Sequence, residues 1–332
     1  MSKRFRLGVL GCGQMATGLL KHLEKMERVE IAAICDPNPE ALQKAIERFG
    51  GNPITTLEEF ITRTDLDLYL VASPPLYHEE NVLALAPNGK PIYCEKPLCT
   101  TVERCNRMIE TCKTHGVKLF VGQVLRLFPL FLESKRLLDA GMLGEPKLCS
   151  ITRAGRGDFF QQGWRSNHAE TGGLLLEVNS HELDYLYCLF GEPESVFAQA
   201  HHINAWGDVL DSLFVQIRFK NGALGLLHSS NASSVGEYRV HIQATQGSMI
   251  HGGFGGELKY RAFDASEATV ISASELQHYG DPYARELISF LDWVEQDTPP
   301  LFTGETGRVN VAMAEAAYRS ILSGQPEAIQ YA

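Results

Sequence analysis

The stretch Gly11-Cys12-Gly13-Gln14-Met15-Ala16 follows a short apolar run, Phe5 to Leu10, and opens a helical pattern that continues to Met26. Its spacing is Gly-x-Gly-x-x-Ala. The first glycine permits a tight turn, the second lets the backbone approach a pyrophosphate, and the small third residue lets helix and strand pack closely. The free N–H groups at the helix start would then point at the phosphates. The loop therefore predicts a Rossmann domain that binds a dinucleotide.

Asp36 sharpens this prediction from a dinucleotide to NAD. It directly follows a second apolar run, Val29 to Cys35, and lies 20 residues after Ala16. A carboxylate there can accept hydrogen bonds from the adenosine ribose hydroxyls, and it would repel a 2′-phosphate. The segment Asp36-Pro37-Asn38-Pro39 carries no arginine to bind such a phosphate. We expect NAD rather than NADP. The alternative that the glycines form only a tight turn stays open.

The pattern of the chain changes near residue 125. Before it, apolar strands alternate with helices, which indicates a buried parallel sheet. After Pro129, strand-like segments alternate apolar and polar residues, as in Leu213 to Phe219. We predict an α/β N-terminal Rossmann domain, residues 1–125, plus an α+β C-terminal domain with an open, mostly antiparallel sheet, residues 126–332.

Composition excludes several classes of function. The chain of 332 residues has a net charge of −10, which disfavours nucleic acid and anionic membrane surfaces as partners. No apolar stretch reaches the length of about 18 residues that a membrane span needs, and no secretory signal pattern is visible. We therefore expect a cytoplasmic protein. The eight cysteines form no Cys-x-x-Cys pair, so no metal site is predicted.

Four later segments resemble a known family. The segment Gly89 to Leu98 contains Glu95-Lys96-Pro97, and Ser73-Pro74-Pro75-Leu76-Tyr77-His78 is similar to a Thr-Pro-x-x-x-His loop. They are followed by Gly122-Gln123-Val124-Leu125-Arg126 with Pro129, and by Gly172-Gly173 with Glu177-x-Asn179-x-His181-x-x-Asp184. In their order along the chain, these segments resemble the Gfo/Idh/MocA family of glucose–fructose oxidoreductases and inositol dehydrogenases.

The resemblance implies roles for individual residues. Lys96 would lie beside the nicotinamide and the substrate carbon, His181 would be the general acid or base, and Glu177 would assist or orient that histidine. The predicted cofactor contacts are Gly11, Gly13, Gln14, Met15, Asp36, Ser73, Pro74, His78, Glu95, Lys96 and Gln123. The predicted substrate contacts are Lys96, Arg126, Trp164, Arg165, His181 and Asp184. The family also implies that the second domain binds substrate and mediates assembly into a homodimer or homotetramer, with the C-terminal helix as a candidate to pack back on the Rossmann domain.

The chemistry of these residue types supports an oxidoreductase. Oxidation of a secondary alcohol removes a hydride from carbon and a proton from oxygen, and histidine titrates in the right range to take the proton. A neutral Lys96 could serve instead if burial and positive charge lowered its pKa, or a charged Lys96 could stabilise the developing oxyanion. We predict an NAD(H)-dependent oxidoreductase acting on a secondary alcohol or ketone of a sugar, sugar derivative or polyol. An NAD-dependent glycoside-cleaving enzyme and a non-catalytic dinucleotide-binding sensor stay open.

The last motif departs from the family pattern at two positions. Glu177 stands where the family usually has Asp, and Asn179 stands where it has Gly. We predict that Asn179 is the N-cap of a helix running to Leu189, with Glu182 completing a capping box. Arg153 and Arg156 would suit an anionic substituent on the substrate.

Overall fold

The computed structural model describes residues 4–158, 163–204 and 208–332. It divides into a first unit, residues 1–123, 283–308 and 332, and a second unit, residues 124–282 and 309–331. The first segment ends at residue 123, two residues before the predicted boundary at residue 125. The larger difference is that residues 283–308 belong to the first unit.

Helices and strands alternate along the first unit, whereas the second unit contains several longer strands. The helices are α1 Gln14–Leu23, α2 Pro39–Phe49, α3 Leu57–Ile61, α4 His78–Leu85, α5 Val102–Thr114, α6 Pro129–Asp139, α7 His168–Thr171, α8 Gly173–Glu177, α9 Ser180–Phe190, α10 Pro282–Gln296 and α11 Gly304–Ser323. The strands are β1 Phe5–Leu10, β2 Val29–Cys35, β3 Asn52–Ile54, β4 Leu68–Val71, β5 Ile92–Cys94, β6 Leu119–Val121, β7 Pro146–Arg156, β8 Pro193–His201, β9 Ser212–Phe219, β10 Leu224–Ser230, β11 Ala232–Ala244, β12 Gly247–His251, β13 Glu257–Ala262, β14 Thr269–Ser272 and β15 Glu327–Ala328.

The first unit is built on a parallel sheet with the strand order β3-β2-β1-β4-β5-β6. This is the Rossmann order, in which ligands bind outside the carboxyl ends of the strands. Helix α10 joins this unit because Phe290 packs on Phe120 and Tyr93, with ring centroids 5.5 and 5.7 Å apart. The predicted Rossmann domain is confirmed. Its last strand, β6, ends at Val121, and a 3-10 turn follows at Val124–Leu127.

The second unit contains a nine-stranded sheet in the order β14-β13-β12-β11-β7-β10-β9-β8-β15. Strands β7 and β10 run parallel, and the other neighbouring pairs are antiparallel, as predicted. Burial alternates along β9, where Val215 and Ile217 are buried and Phe214 and Gln216 are exposed. One face of the sheet is therefore packed and the other is open. Among the described residues, no helix has both the length and the apolar character needed to cross a bilayer.

Candidate active site

The glycine loop lies at the carboxyl end of β1. Gly11 has φ +87°, and a Cβ there would stand 2.7 Å from the backbone nitrogen of Ser73, so only glycine fits. A Cβ on Gly13 would meet no described atom within 4 Å. Gln14 and Met15 are exposed in the first turn of α1, which carries no acidic side chain. The loop therefore offers open space and free helix N–H groups to a pyrophosphate.

Asp36 is held beside this loop by two backbone hydrogen bonds. The N–H of Cys12 donates to Oδ2 and the N–H of Asn38 donates to Oδ1, each at 2.9 Å. Each carboxylate oxygen keeps a lone pair for a further donor. The carboxylate is thus oriented so that it can accept hydrogen bonds from the ribose hydroxyls of NAD, and this contact stays a prediction.

Gln123 carries a second feature that fits a bound dinucleotide. Its side chain is wholly buried, and neither atom of its amide has a hydrogen-bond partner among the described residues. An unpaired buried amide costs about 1–3 kcal/mol, so a bound polar group would stabilise it. Because Gln123 follows β6 at the same sheet edge as Gly11 and Asp36, this orphaned amide supports its predicted cofactor contact.

Lys96 follows β5 at that edge, half-buried, and rests on a buried carboxylate. Its backbone N–H donates to Glu95 Oε2 at 3.0 Å, and the hydroxyl of Tyr93 lies 3.4 Å from Glu95 Oε1. Tyr93 also donates to Glu286 Oε2 at 2.7 Å. Burial raises the pKa of Tyr93 well above its usual range, and both carboxylates add to the shift. Glu95 supports the loop that carries Lys96, and its predicted cofactor contact stays a prediction.

The loop after β4 carries Ser73, Pro74 and His78. His78 is wholly buried, with Nδ1 2.9 Å from the carbonyl of Pro97 and Nε2 2.8 Å from that of Ser73. The ring therefore ties this loop to the segment after Lys96, and the predicted cofactor contact of His78 stays a prediction. Ser73 and Pro74 are half-buried at the carboxyl edge, where they stay candidates for that contact.

His181 is the second residue of α9 and is half-buried. Asn179 is the N-cap of this helix, as predicted, but its side chain forms no capping hydrogen bond. Its Nδ2 donates instead to Glu182 Oε2 at 3.0 Å, and its Oδ1 accepts from Ser229. The predicted capping box is therefore wrong, because a strand of the sheet competes for the asparagine oxygen.

Arg126 and Asp184, both predicted to bind substrate, form an ion pair with each other. Nε and Nη2 of Arg126 each donate to one oxygen of Asp184 at 2.5 Å, and Asp184 is wholly buried. Burial opposes the charge of Arg126, but Asp184 outweighs it and raises the pKa of the guanidinium. The structure therefore engages both residues within the second unit.

Arg165 and Glu177 form a second pair. Nε of Arg165 donates to Glu177 Oε1 at 2.9 Å, and the guanidinium stacks 4.3 Å from the centre of the Trp164 ring. The structure thus brings three predicted site residues together. Glu177, the last residue of α8, is largely buried, whereas Arg165 is partly exposed.

The two arginines that suggested an anionic substituent are also paired. Nη1 of Arg153 donates to Glu182 Oε1 at 2.9 Å, and Nε of Arg156 donates to Asp158 at 2.7 Å. Neither is an isolated positive charge. In the part of the chain that the structure describes, no cluster of three or more metal-ligating side chains is present.

Family models match both parts of the chain. Residues 5–123 match the oxidoreductase family with an NAD-binding Rossmann fold, and residues 131–250 match the GFO/IDH/MocA C-terminal domain. The chain belongs to the GFO/IDH/MocA oxidoreductase family. The resemblance seen in the sequence is thereby confirmed, and so is NAD as the cofactor.

Other members of the GFO/IDH/MocA family match over much or all of the chain. An uncharacterized oxidoreductase of Streptococcus pneumoniae is 31% identical, covering 74% of this chain and 67% of that protein. Myo-inositol 2-dehydrogenase of Thermotoga maritima is 29% identical, covering 95% and 96%. The WlbA dehydrogenase of Bordetella pertussis, solved with NADH and UDP-GlcNAcA, has a TM-score of 0.90 at 22% identity and 99% coverage of both chains. This last likeness shows the shared fold.

Several residues that support the GFO/IDH/MocA site escape prediction. Tyr93 lies within the Glu-Lys-Pro segment, but its partner Glu286 is 193 residues away. Ser229 contacts Asn179 from a different strand, 50 residues away. No local pattern marks such pairs, because they depend on how helix α10 and the start of α9 pack against strands that are distant in sequence.

Proposed function

We propose that this chain is an NAD(H)-dependent dehydrogenase or reductase acting on a secondary alcohol or ketone carbon of a neutral sugar, sugar derivative or polyol. The observation that carries the proposal is Lys96 at the carboxyl edge of an NAD-binding Rossmann sheet, beside the loops that hold Asp36 and Gln123. Catalytic groups gather at this edge in open α/β sheets. The match to myo-inositol 2-dehydrogenase over nearly the whole chain supports the substrate class.

The proposed chemistry divides between two side chains. Bound NAD supplies the hydride acceptor. Lys96, as an ammonium, would donate a hydrogen bond to the substrate oxygen and stabilise negative charge as it develops. His181 would take the hydroxyl proton during oxidation and return it during reduction. Glu177, fixed by its bond from Arg165, would orient His181 for that transfer.

The preference for a neutral substrate rests on paired arginines. Arg126, Arg153 and Arg165 contact residues just before or within the start of α9, and each is joined to one carboxylate. An arginine whose charge is balanced by a neighbouring carboxylate attracts an anion weakly. Hydroxyl groups, in contrast, can accept from and donate to such pairs. We therefore expect sugars and polyols to react better than the matching uronic acids.

The decisive experiment compares Lys96→Met with Lys90→Met, a neighbouring lysine outside the proposed site, on a panel of sugars and inositols. NADH formation should be lost only in Lys96→Met, while NAD binding is retained in both. Full activity of Lys96→Met would refute the assignment. Sugar release from a glycoside without net NADH would favour the glycoside-cleaving alternative, and NAD binding without any turnover would favour the sensor.

We further propose that copies of the chain associate through the open face of the nine-stranded sheet. This face presents Leu148, Phe214 and Leu226 to solvent, and apolar groups clustered on an exposed sheet favour association. The cytoplasmic location and the absence of nucleic-acid and membrane partners stay predictions.

A further inference from the structure

We infer that Ser229, Arg153 and Tyr238, which form one row across three neighbouring strands, position His181 for catalysis. The inference rests on the proposed role of His181 and adds the residues that would fix its location. None of the three would touch substrate in this scheme. They act through the residues on either side of His181.

The row follows from the strand register. Arg153 in β7 pairs with Ser229 in β10 on one side and with Tyr238 in β11 on the other. Side chains of directly paired residues lie on the same face of a sheet. The three side chains therefore lie on the packed face of the sheet and point together toward the junction between α8 and α9.

On the N-terminal side of His181, the row holds the backbone just before α9. Nη1 of Arg153 donates to the carbonyl of Val178 at 3.0 Å. The hydroxyl of Ser229 donates to Asn179 Oδ1 at 2.5 Å. Asn179 is wholly buried, so this bond cannot exchange with water without local opening. The chain is thus fixed two and three residues before His181.

On the C-terminal side, the row holds the residue after His181. Glu182 is wholly buried, and its Oε1 accepts from Tyr238 at 2.7 Å and from Arg153 at 2.9 Å. Its Oε2 accepts from Asn179 at 3.0 Å, which closes the network across the first turn of α9. Burial raises the pKa of Tyr238, and Glu182 adds to the shift, so the hydroxyl stays a donor. Because the first turn of α9 is anchored on both sides of His181, the backbone of this residue is held in one position.

The structure offers a matched pair of variants to test this. Tyr238→Phe removes a 2.7 Å bond to the buried Glu182, and Tyr279→Phe removes a 2.7 Å bond to the buried Glu133 elsewhere in the second unit. The NMR signals of the His181 ring, identified by their loss in His181→Asn, should shift in Tyr238→Phe and stay in place in Tyr279→Phe. Unmoved signals in Tyr238→Phe would overturn the inference, and this measurement needs no substrate.

Kinetics separate this inference from the proposed function. Tyr238→Phe should lower kcat roughly tenfold, as expected for a misplaced catalytic group, with the affinity for NAD unchanged and with no further loss in the His181→Asn background. Ser229→Ala should act in the same direction. An equal loss in both backgrounds would overturn the positioning role while leaving His181 as the base. Full activity of His181→Asn would instead refute the proposed role of His181.

Discussion

At the scale of single residues, we predict that Asp36 governs the choice of cofactor. Its two backbone bonds fix the carboxylate, and Asp36→Asn keeps an oxygen for one of them while removing the charge. Because a hydrogen bond to a charged group is worth about 1.5–3 kcal/mol, NADH affinity should fall roughly 10- to 100-fold. The ratio of the affinity for NADH to the affinity for NADPH should therefore fall. Fluorescence titration with both cofactors measures this, with Asp139→Asn as an exposed control. An unchanged ratio of the two affinities would contradict the role of Asp36.

Glu177 should govern selectivity between neutral and acidic substrates. In Glu177→Gln, Arg165 would lose its charge partner, so an anionic substrate would gain an attraction that the parent protein cancels. We expect the ratio of kcat/KM for a uronic acid to that for the matching aldose to rise roughly tenfold, or about 1.4 kcal/mol. Steady-state kinetics on the two substrates measures the ratio. An equal decline for both would mean that Glu177 acts only through His181.

Residue roles followed from sequence where the chemistry was local. Asp36 could be predicted as a cofactor contact because it directly follows a strand that ends next to the glycine loop. Glu95 and His78 are different, because each is a polar residue in a cofactor-like motif whose side chain turns inward to hold a loop. Sequence fixes the residue type at these positions, but only the packed loops decide whether a side chain contacts the ligand or the protein.

At the scale of secondary-structure elements, a clamp joins α4 to α5. Glu79 in α4 accepts hydrogen bonds from Arg104 at 2.6 Å and from Arg107, both in α5. Burial favours the neutral acid, but the two arginines outweigh it and lower the pKa of Glu79. The clamp therefore stabilises the fold above the unfolded pKa of about 4.3 and loses this effect as the pH falls through the folded value.

Glu79→Gln tests this clamp. Near neutral pH the variant should lose roughly 1–2 kcal/mol of unfolding free energy, and the difference from the parent should shrink as the pH falls below about 4. Urea denaturation at several pH values measures both. A difference that does not change with pH would contradict the ionic origin of the effect.

A second element-scale contact joins α9 to the turn Val124–Leu127 through Asp184 and Arg126. Removing one partner of a buried ion pair costs about 3–5 kcal/mol, so Asp184→Asn should be strongly destabilised in denaturant unfolding. Replacing both residues, Arg126→Met with Asp184→Leu, should recover most of the loss. If Asp184→Asn keeps its stability and only raises the substrate KM, the pair contacts substrate as the sequence predicted.

Elements were predictable where one periodicity dominates. The bounds of β2, α2 and α10 match the pattern of apolar residues in the sequence. Strand β7 escapes prediction because only Cys149 and Ile151 along it are fully buried, which leaves too few apolar positions for a period of two. Yet β7 carries Arg153, so a strand that the sequence did not reveal holds the centre of the row behind His181.

At the scale of the whole molecule, the order of elements along the chain predicted the parallel and the mostly antiparallel sheet. It did not predict that helix α10 belongs to the first unit. A stripe of apolar residues on α10 indicates that one face of this helix is buried, but it does not identify the element against which that face packs. The contact of Phe290 with Phe120 and Tyr93 assigns it to the first unit. Chain topology of this kind depends on long-range packing, which local periodicity does not encode.

The open face of the second unit leads to a prediction about assembly. Nine strands about 4.8 Å apart make a sheet roughly 40 Å wide, so a strip of ordinary strand length offers on the order of 800 Å² to a partner, the size of a stable interface. Phe214 stacks on His228 at 4.5 Å, and with Leu226 and Leu148 it places exposed apolar side chains on the middle strands of this face. We expect sedimentation to show a dimer or tetramer. Phe214→Glu with Leu226→Glu should dissociate it by burying charge at the interface, whereas Leu322→Glu, at another exposed apolar residue, should not. A monomeric parent protein would refute the interface.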